Sequence, residues 1–359
     1  MKAWRDSATV ILASRQIQKR NPSLSNSVFQ YDYKLLNLKR HGQASFMPGA
    51  YVFPGGTVEP SDADLKWKNL FSSFGFNDKS FASLLNPNSS RPPIFKPRKN
   101  ELRREISLRI TAIRETFEEC GILICNKPGD KGVLTDWAKH LVMDEAKSWQ
   151  SRVHNDPMKF YRMCEDHQCY PNIWALHEWS NWLTPTVFAK RFDTVFFFVC
   201  MQSQPLAEFE EQEMEDLVWL DPKSLLSSSK EYRLEIPQLY ELGRIARYES
   251  LNNLLDFTIA RSKHGMHRIF PVRVRLSDGH VVLLPGDCMY PKNPSYTERQ
   301  EFDRTTMTIA EFHEQSSIRN RIEVYSLDVK SLSVDNMESL DGHLPPLCID
   351  NVQIKSSKL

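Results

Sequence analysis

Ile110-Thr111-Ala112-Ile113-Arg114-Glu115-Thr116-Phe117-Glu118-Glu119-Cys120-Gly121-Ile122 is the stretch on which the reading of this 359-residue chain turns. At about 100° per residue, Ile106, Ile110, Ile113 and Phe117 fall within one narrow arc, the pattern of an amphipathic helix pressed onto a core. Glu115, Glu118 and Glu119 lie on the other side. Being three and four residues apart, their carboxylates are expected to converge above one turn. Like charges so close repel unless neutralised, and a hard divalent cation that takes oxygen ligands is the natural counter-charge. Gly121 ends the helix. Taken alone, Glu-x-x-Glu-Glu is more often a solvated acidic face carrying an i,i+4 Arg114–Glu118 pair.

An upstream stretch reverses that balance. Pro48-Gly49-Ala50-Tyr51-Val52-Phe53-Pro54-Gly55-Gly56-Thr57-Val58-Glu59 is a short apolar strand entering a double glycine. There the backbone can approach phosphates or offer a carbonyl to a metal. The two stretches together resemble the Nudix hydrolase signature: Gly, five residues, Glu, seven residues, Arg-Glu, an aliphatic, one residue, Glu-Glu, one residue, Gly, an aliphatic. Gly56 would open it, and Arg114, Glu115, Glu118, Glu119, Gly121 and Ile122 would close it. Asp62 stands at the first Glu position and Thr116 at the first aliphatic one. Residues 63 to 113 number 51 where the motif has seven, so 44 are inserted. A split box with intact ends resembles one branch of the family, the Nudix hydrolase 19 type of peroxisomal acyl-CoA diphosphatase. Arg191-Phe192-Asp193-Thr194, Leu284-Pro285-Gly286-Asp287 and the last three residues extend the resemblance.

The resemblance implies an α+β fold, an α/β/α sandwich with a mixed sheet between helices, a large insertion within the box and a C-terminal appendage. It implies Mg²⁺ (or Mn²⁺) on Glu115, Glu118 and Glu119, with Arg114 orienting the helix rather than touching substrate. It implies hydrolysis of coenzyme A and acyl-CoA esters at the pyrophosphate, giving 3′,5′-ADP and (acyl-)4′-phosphopantetheine. Glu213, in the acidic loop before Trp219, could be a further ligand or the base, although an exposed acidic loop is the plainer reading. Gly55 and Gly56, with Arg40, Arg15, Lys39 and His41, are candidates for meeting substrate phosphates; for each basic side chain, surface solvation explains it as well. Two competing readings stay open. A Nudix hydrolase acting on NADH, nucleotide sugars or RNA caps would use the same helix, and a non-catalytic Nudix-shaped binding module would be expected to lack one of the three glutamates.

Charge is balanced at a formal net of +1, which gives no cause to expect bulk electrostatic binding to nucleic acid or acidic lipid. The longest strongly apolar run, Val195 to Cys200, suits a buried strand and is too short to span a bilayer, so no transmembrane segment is expected. Seven scattered cysteines read as reduced thiols. Cys164, His167, Cys169 and His177 match no standard zinc spacing. Ser357-Lys358-Leu359 is the C-terminal tripeptide read by the peroxisomal import receptor, which places the chain in the peroxisome matrix.

Along the chain, Ala8 to Ala13 and Tyr33 to Arg40 read as core strands. The insertion, about residues 63–104, combines a candidate helix at Trp67, Leu70, Phe71, Phe74 and Phe76 with a Pro/Ser/Asn-rich loop from Asn86 to Lys99, and is either a lid or a surface excursion. Residues 133–182 are expected to be largely helical, their aromatics forming core or lining a groove for an acyl chain. A strand from Arg191 to Phe198, a Trp-containing strand at residues 217–222 and a closing helix from Lys223 complete a hydrolase domain over residues 1–226. Residues 227–356 are expected to form a helical and hairpin appendage, turning at Asp278-Gly279, and 357–359 the targeting tripeptide.

Overall fold

Strand β1 (Arg5–Arg15) runs through the middle of the main sheet. Its side chains alternate: Ala8, Val10 and Leu12 enter the core on one face, Ile11 and Ala13 the core on the other. A strand buried on both faces must be apolar throughout, which explains its unbroken run of small and branched residues. The computed structural model describes residues 4–16, 30–85, 91–129, 136–228, 231–326, 329–339 and 341–350.

Chain order then brings β2 (Tyr33–Arg40), β3 (Tyr51–Val52), β4 (Gly55–Thr57), helix α1 (Lys66–Ser73) and the glutamate-bearing helix α2 (Arg104–Cys120). Next come β5 (Cys125–Asn126), β6 (Trp137–Ala138), α3 (Ala146–Asn155), α4 (Met158–Asp166), β7 (Tyr170–Pro171), β8 (His177–Leu183), β9 (Phe192–Met201) and β10 (Met214–Leu220). The rest comprises α5 (Pro222–Ser227), α6 (Ile236–Ile245), α7 (Leu251–Ser262), β11 (Arg268–Ile269), β12 (Val272–Leu276), β13 (Gly279–Leu283), β14 (Glu301–Asp303), α8 (Ile309–Glu314), β15 (Arg319–Val324) and β16 (Lys330–Asp335).

Among the described residues the main sheet is mixed and nine-stranded, in the order β10-β2-β1-β9-β8-β11, with β3 on β2, β4 on β1 and β6 on β9. The parallel β1–β9 pair, in register from Arg5↔Phe192 to Ser14↔Met201, is its centre. Helix α2, the insertion, α3 and α4 cover one face, burying Val195, Phe197 and Val199 of β9. Helices α5, α6 and α7 cover the other, burying Phe196 and Phe198. This is the α/β/α sandwich expected. No helix among the described residues is long and apolar enough to cross a membrane.

Four sequence expectations need correcting. The body does not stop at residue 226, because α6 and α7 close the second face of the sheet, placing Leu239, Leu242, Leu251 and Leu254 over Ile11 and Phe198. Residues 133–182 are not largely helical: two short helices are followed by strand β8, which carries Trp179 and Trp182. Among its described residues the insertion packs into the core rather than over the site: Phe71, Phe76 and Phe81 ring Trp174 at centroid distances of 5.8, 4.5 and 5.8 Å, and none of its described residues lines the cavity described below. The expected hairpin forms, β12 to β13, but it is part of a five-stranded sheet in the order β14-β12-β13-β15-β16. That sheet sends Val282, Ile322 and Leu332 into the same core as α6 and α7.

Candidate active site

Asp62 stands where the split box breaks off, and its carboxylate organises the groups around it. Oδ2 accepts the Glu59 amide at 3.0 Å and the Thr111 hydroxyl at 2.8 Å. The same carboxylate takes the Arg114 guanidinium edge-on, Nε–Oδ1 2.8 Å and Nη2–Oδ2 2.9 Å. Arg114 also donates to Glu118 at 2.5 Å, to Glu115 at 2.9 Å and to the Thr57 carbonyl at 3.0 Å. It is 1% exposed, so these partners compensate a charge that water cannot reach. Burial would strip its proton, but Glu115, Asp62 and Glu118 hold it firmly charged. The guanidinium thus tethers α2 to β4, and the motif Arg-Glu is structural at its Arg.

Gly55 and Gly56 sit opposite Thr9 and Ala8 of β1 and run alongside α2. The Gly55 amide donates to Glu119 at 2.8 Å. A Cβ on Gly56 would lie 2.5 Å from the Glu115 carboxyl carbon, so this glycine makes the space that carboxylate occupies. A third acid arrives from the other direction. The amides of Glu208 and Glu210 bond the Cys120 and Glu119 carbonyls at the end of α2, 3.1 and 3.0 Å, and the loop then carries Glu213 to the same cavity.

Burial raises all three helix carboxyls: Glu119 well above the ordinary range with the Glu115 charge adding to it, Glu118 to about 8 despite Arg114, and Glu115 in the same direction. Asp62, Glu115, Glu118, Glu119 and Glu213 face two guanidiniums, Arg114 and Arg40, so negative charge is in excess. The carboxylates line one cavity without meeting at a point, contrary to the convergence expected above one turn. Arg114 draws Glu115 and Glu118 toward itself while Gly55 holds Glu119. Glu115 and Glu119, one turn apart beside the glycine pair, with Glu118 and Glu213 in the same cavity wall, could hold a hard divalent cation. Oxygen donors, excess negative charge and the room left by Gly56 all suit it.

The cavity has a volume of about 870 Å³ and contains Gly55, Gly56, Arg40, Arg114, Glu115, Glu118, Glu119 and Glu213 in its wall. Arg15 is not there. β1 runs away from the site, and at its far end Arg15 bonds Asn252 at 2.7 Å and Gln202 at 3.2 Å. Sequence reasoning did not select Asp62 as a site residue, although its motif position was the available signal. It also passed over Trp4 and Lys190, and quoted Arg191 only within the stretch that extends the family resemblance, without a role in the site; all three line the cavity. Apart from the glutamates, Cys125, Cys164 and Cys169 bring their sulfurs within 4.8 Å of one another in the core. His177 turns instead to the Asp136 carbonyl, 3.0 Å away. The C-terminal tripeptide lies outside the described residues.

A mixed sheet between helical layers, with an Arg-Glu-x-x-Glu-Glu helix docked on a glycine pair, defines the Nudix class of proteins. The fold agrees with the crystal structure of a NUDIX hydrolase from Alicyclobacillus acidocaldarius, at a TM-score of 0.51 and 18% identity over 71% of this chain and 97% of that one. A family model of the NUDT19 Nudix domain matches residues 4–245, and one of the NUDT19 C-terminal domain matches residues 273–334. Acyl-coenzyme A diphosphatase NUDT19 of Xenopus laevis is 33% identical over 98% of this chain and 97% of its own length. The Gallus gallus protein of the same name is 34% identical over 98% and 96%. The chain belongs to the NUDT19 family of Nudix hydrolases.

Proposed function

We propose that this chain hydrolyses the pyrophosphate of coenzyme A and its acyl esters to 3′,5′-ADP and (acyl-)4′-phosphopantetheine, using Mg²⁺ or Mn²⁺ held by Glu115, Glu118 and Glu119. The observation that carries this is one cavity lined both by carboxylates, Glu115, Glu118, Glu119 and Glu213, and by the apolar Phe46, Phe53, Phe188, Phe196, Trp182 and Ile236. A diphosphate carrying a long apolar substituent matches both. The names of the full-length relatives support the same substrate.

A bound divalent cation supplies charge neutralisation on the bridging phosphates and a more acidic water. The protein's own part is positional. Arg114 fixes the turn that carries the glutamates, and the Gly55 amide aims Glu119. One P–O bond forms from water and the bridging P–O bond breaks, so one carboxylate, among Glu115, Glu118, Glu119 and Glu213, takes the proton. We also propose that Ser357-Lys358-Leu359 sends the chain to the peroxisome matrix through the import receptor.

Mass spectrometry of products from acyl-CoA in H₂¹⁸O tests the activity. Release of 3′,5′-ADP and acyl-4′-phosphopantetheine, with one ¹⁸O in a single product, is expected. Intact acyl-CoA alongside efficient cleavage of NADH or capped RNA would overturn it.

A further inference from the structure

Arg191 immediately precedes β9 at the mouth of the cavity and is 8% exposed. Its Nε donates to the Thr184 carbonyl at 2.9 Å and its Nη1 to the Tyr296 carbonyl at 2.8 Å. Nη2 is buried and has no hydrogen-bond partner. The guanidinium lies 5.2 Å from the centroid of the Trp4 ring, and the Trp4 Nε1 is also buried without a partner. Both residues line the cavity, together with Lys190 and Arg5.

Among the buried arginines, Arg104, Arg109, Arg114, Arg244 and Arg321 each lie against a carboxylate. Arg261, like Arg191, meets only backbone carbonyls, but it does not line the cavity. Arg191 forms no ion pair among the described residues, and burial alone presses on its charge. A desolvated cation is costly unless an anion meets it, so its counter-charge is expected from outside the chain. Two carbonyls fix the fork, and its Nη2 is left without a partner in a side chain that lines the cavity.

We infer that Arg191, with Lys190 and the Trp4 indole N–H, binds a phosphate monoester of the substrate distinct from the diphosphate that lies over the glutamates. Val195 faces Ala8, which faces Gly56, and Arg191 lies four positions before Val195, about 13 Å along the strand, so it lines the cavity apart from the glycine pair and the glutamates. On the proposed substrate, the group is the ribose 3′-phosphate. The inference therefore rests on the activity proposed above and adds to it the feature that separates coenzyme A from nucleotides lacking that phosphate. A doubly charged phosphate takes several donors at once, and a guanidinium edge, an ammonium and an indole N–H supply them.

Calorimetric titration of the full chain with adenosine 3′,5′-bisphosphate and with AMP is the test. The unaltered protein is expected to bind the bisphosphate at least tenfold more tightly. Arg191→Met should reduce that preference below threefold while AMP affinity stays within threefold. Lys190→Gln, at an exposed residue whose Nζ reaches the Ser45 hydroxyl at 2.7 Å, leaves the packing around Trp4 untouched. It should lower the preference by about threefold, and it keeps the test decisive if Arg191→Met fails to fold. No preference in the unaltered protein, or an undiminished one in both variants, overturns the site. Turnover of coenzyme A against its 3′-dephospho form separates the two proposals. Cleavage of neither, with the binding preference intact, overturns the activity and leaves the phosphate site standing.

Discussion

The carboxylate of Asp62 and the guanidinium of Arg114 meet edge to edge at 2.8 and 2.9 Å, across 52 positions of sequence. This pair rejoins the two halves of a motif that the insertion splits, and both side chains are almost fully buried. Removing one partner leaves a desolvated charge, so Asp62→Ala is expected to cost about 3 kcal/mol in urea unfolding. Because the two act as a unit, Asp62→Ala with Arg114→Met should cost less than the sum of the singles. Strict additivity would show that the contact does not couple them.

Glu119 receives the Gly55 amide at 2.8 Å and is otherwise a carboxylate that burial would rather protonate. Glutamine preserves an oxygen for that amide while losing the charge. Glu119→Gln should therefore melt at or above the temperature of the unaltered protein and lose turnover by about 100-fold or more, on the order of 3 kcal/mol of barrier. Near-normal turnover with a persistent divalent-metal requirement would remove Glu119 from the site.

The adjacent glycines are predicted to fail differently. At Gly55, φ is +155° and a Cβ would lie 2.4 Å from the Ala8 carbonyl oxygen, part of the β1 backbone. Alanine there should destabilise the sheet by about 1–3 kcal/mol. At Gly56 the clash is with the Glu115 carboxylate. Alanine there should displace that group, cutting turnover about tenfold or more while the melting temperature changes little. Equal effects of the two substitutions on stability would contradict this division.

How far the sequence exposes this design depends on whether each signal is local. Helix α2 is legible because its apolar period and its glutamates share one segment, and β1 and β9 because a doubly covered strand has to be apolar. Strand β8 is misleading for a specific reason. A β-bulge between Glu178 and Ser180 shifts its register, so Trp179 and Trp182 both point toward α6 and donate to Glu241 at 2.8 and 2.7 Å. Three-residue spacing on one face then imitates a helix. The role of Arg191 is illegible in a different sense: its stretch extends the family resemblance, but its burial without a counter-charge is something only the folded chain creates.

The targeting prediction stands apart from the hydrolase body. A fluorescent protein fused to the N-terminus of the chain should collect in peroxisomes and disperse in the cytosol once Leu359 is deleted. Persistence of peroxisomal signal after the deletion would assign import to another part of the chain.

His343 links acidity to the seam between the C-terminal segment and the body. It is 4% exposed and packs edge-on against Trp179 at 4.4 Å and against Phe257 at 5.7 Å. Burial, then the charges of Arg244 on α6 and Arg261 on α7, hold it well below the usual histidine range; Asp341 beside it acts on both arginines and only partly offsets them. Above about pH 6.5 the ring is neutral in folded and unfolded chains alike, so it contributes no pH dependence there. Below that, the unfolded chain takes up a proton that the folded chain refuses, and stability is lost as the pH falls. The slope from one such group is at most about 1.4 kcal/mol per pH unit. His140, His177 and His280 are depressed in the same direction, so the total slope between pH 6.5 and 5.5 should exceed that of His343 alone. His343→Phe keeps an aromatic edge between Trp179 and Phe257 and removes the titration. Urea unfolding at pH 5.5, 6.5 and 7.5 should show a shallower acid loss in the variant, with no change in slope above pH 6.5. An identical acid slope in both proteins would mean that the ring is already charged, or solvated, in the folded state.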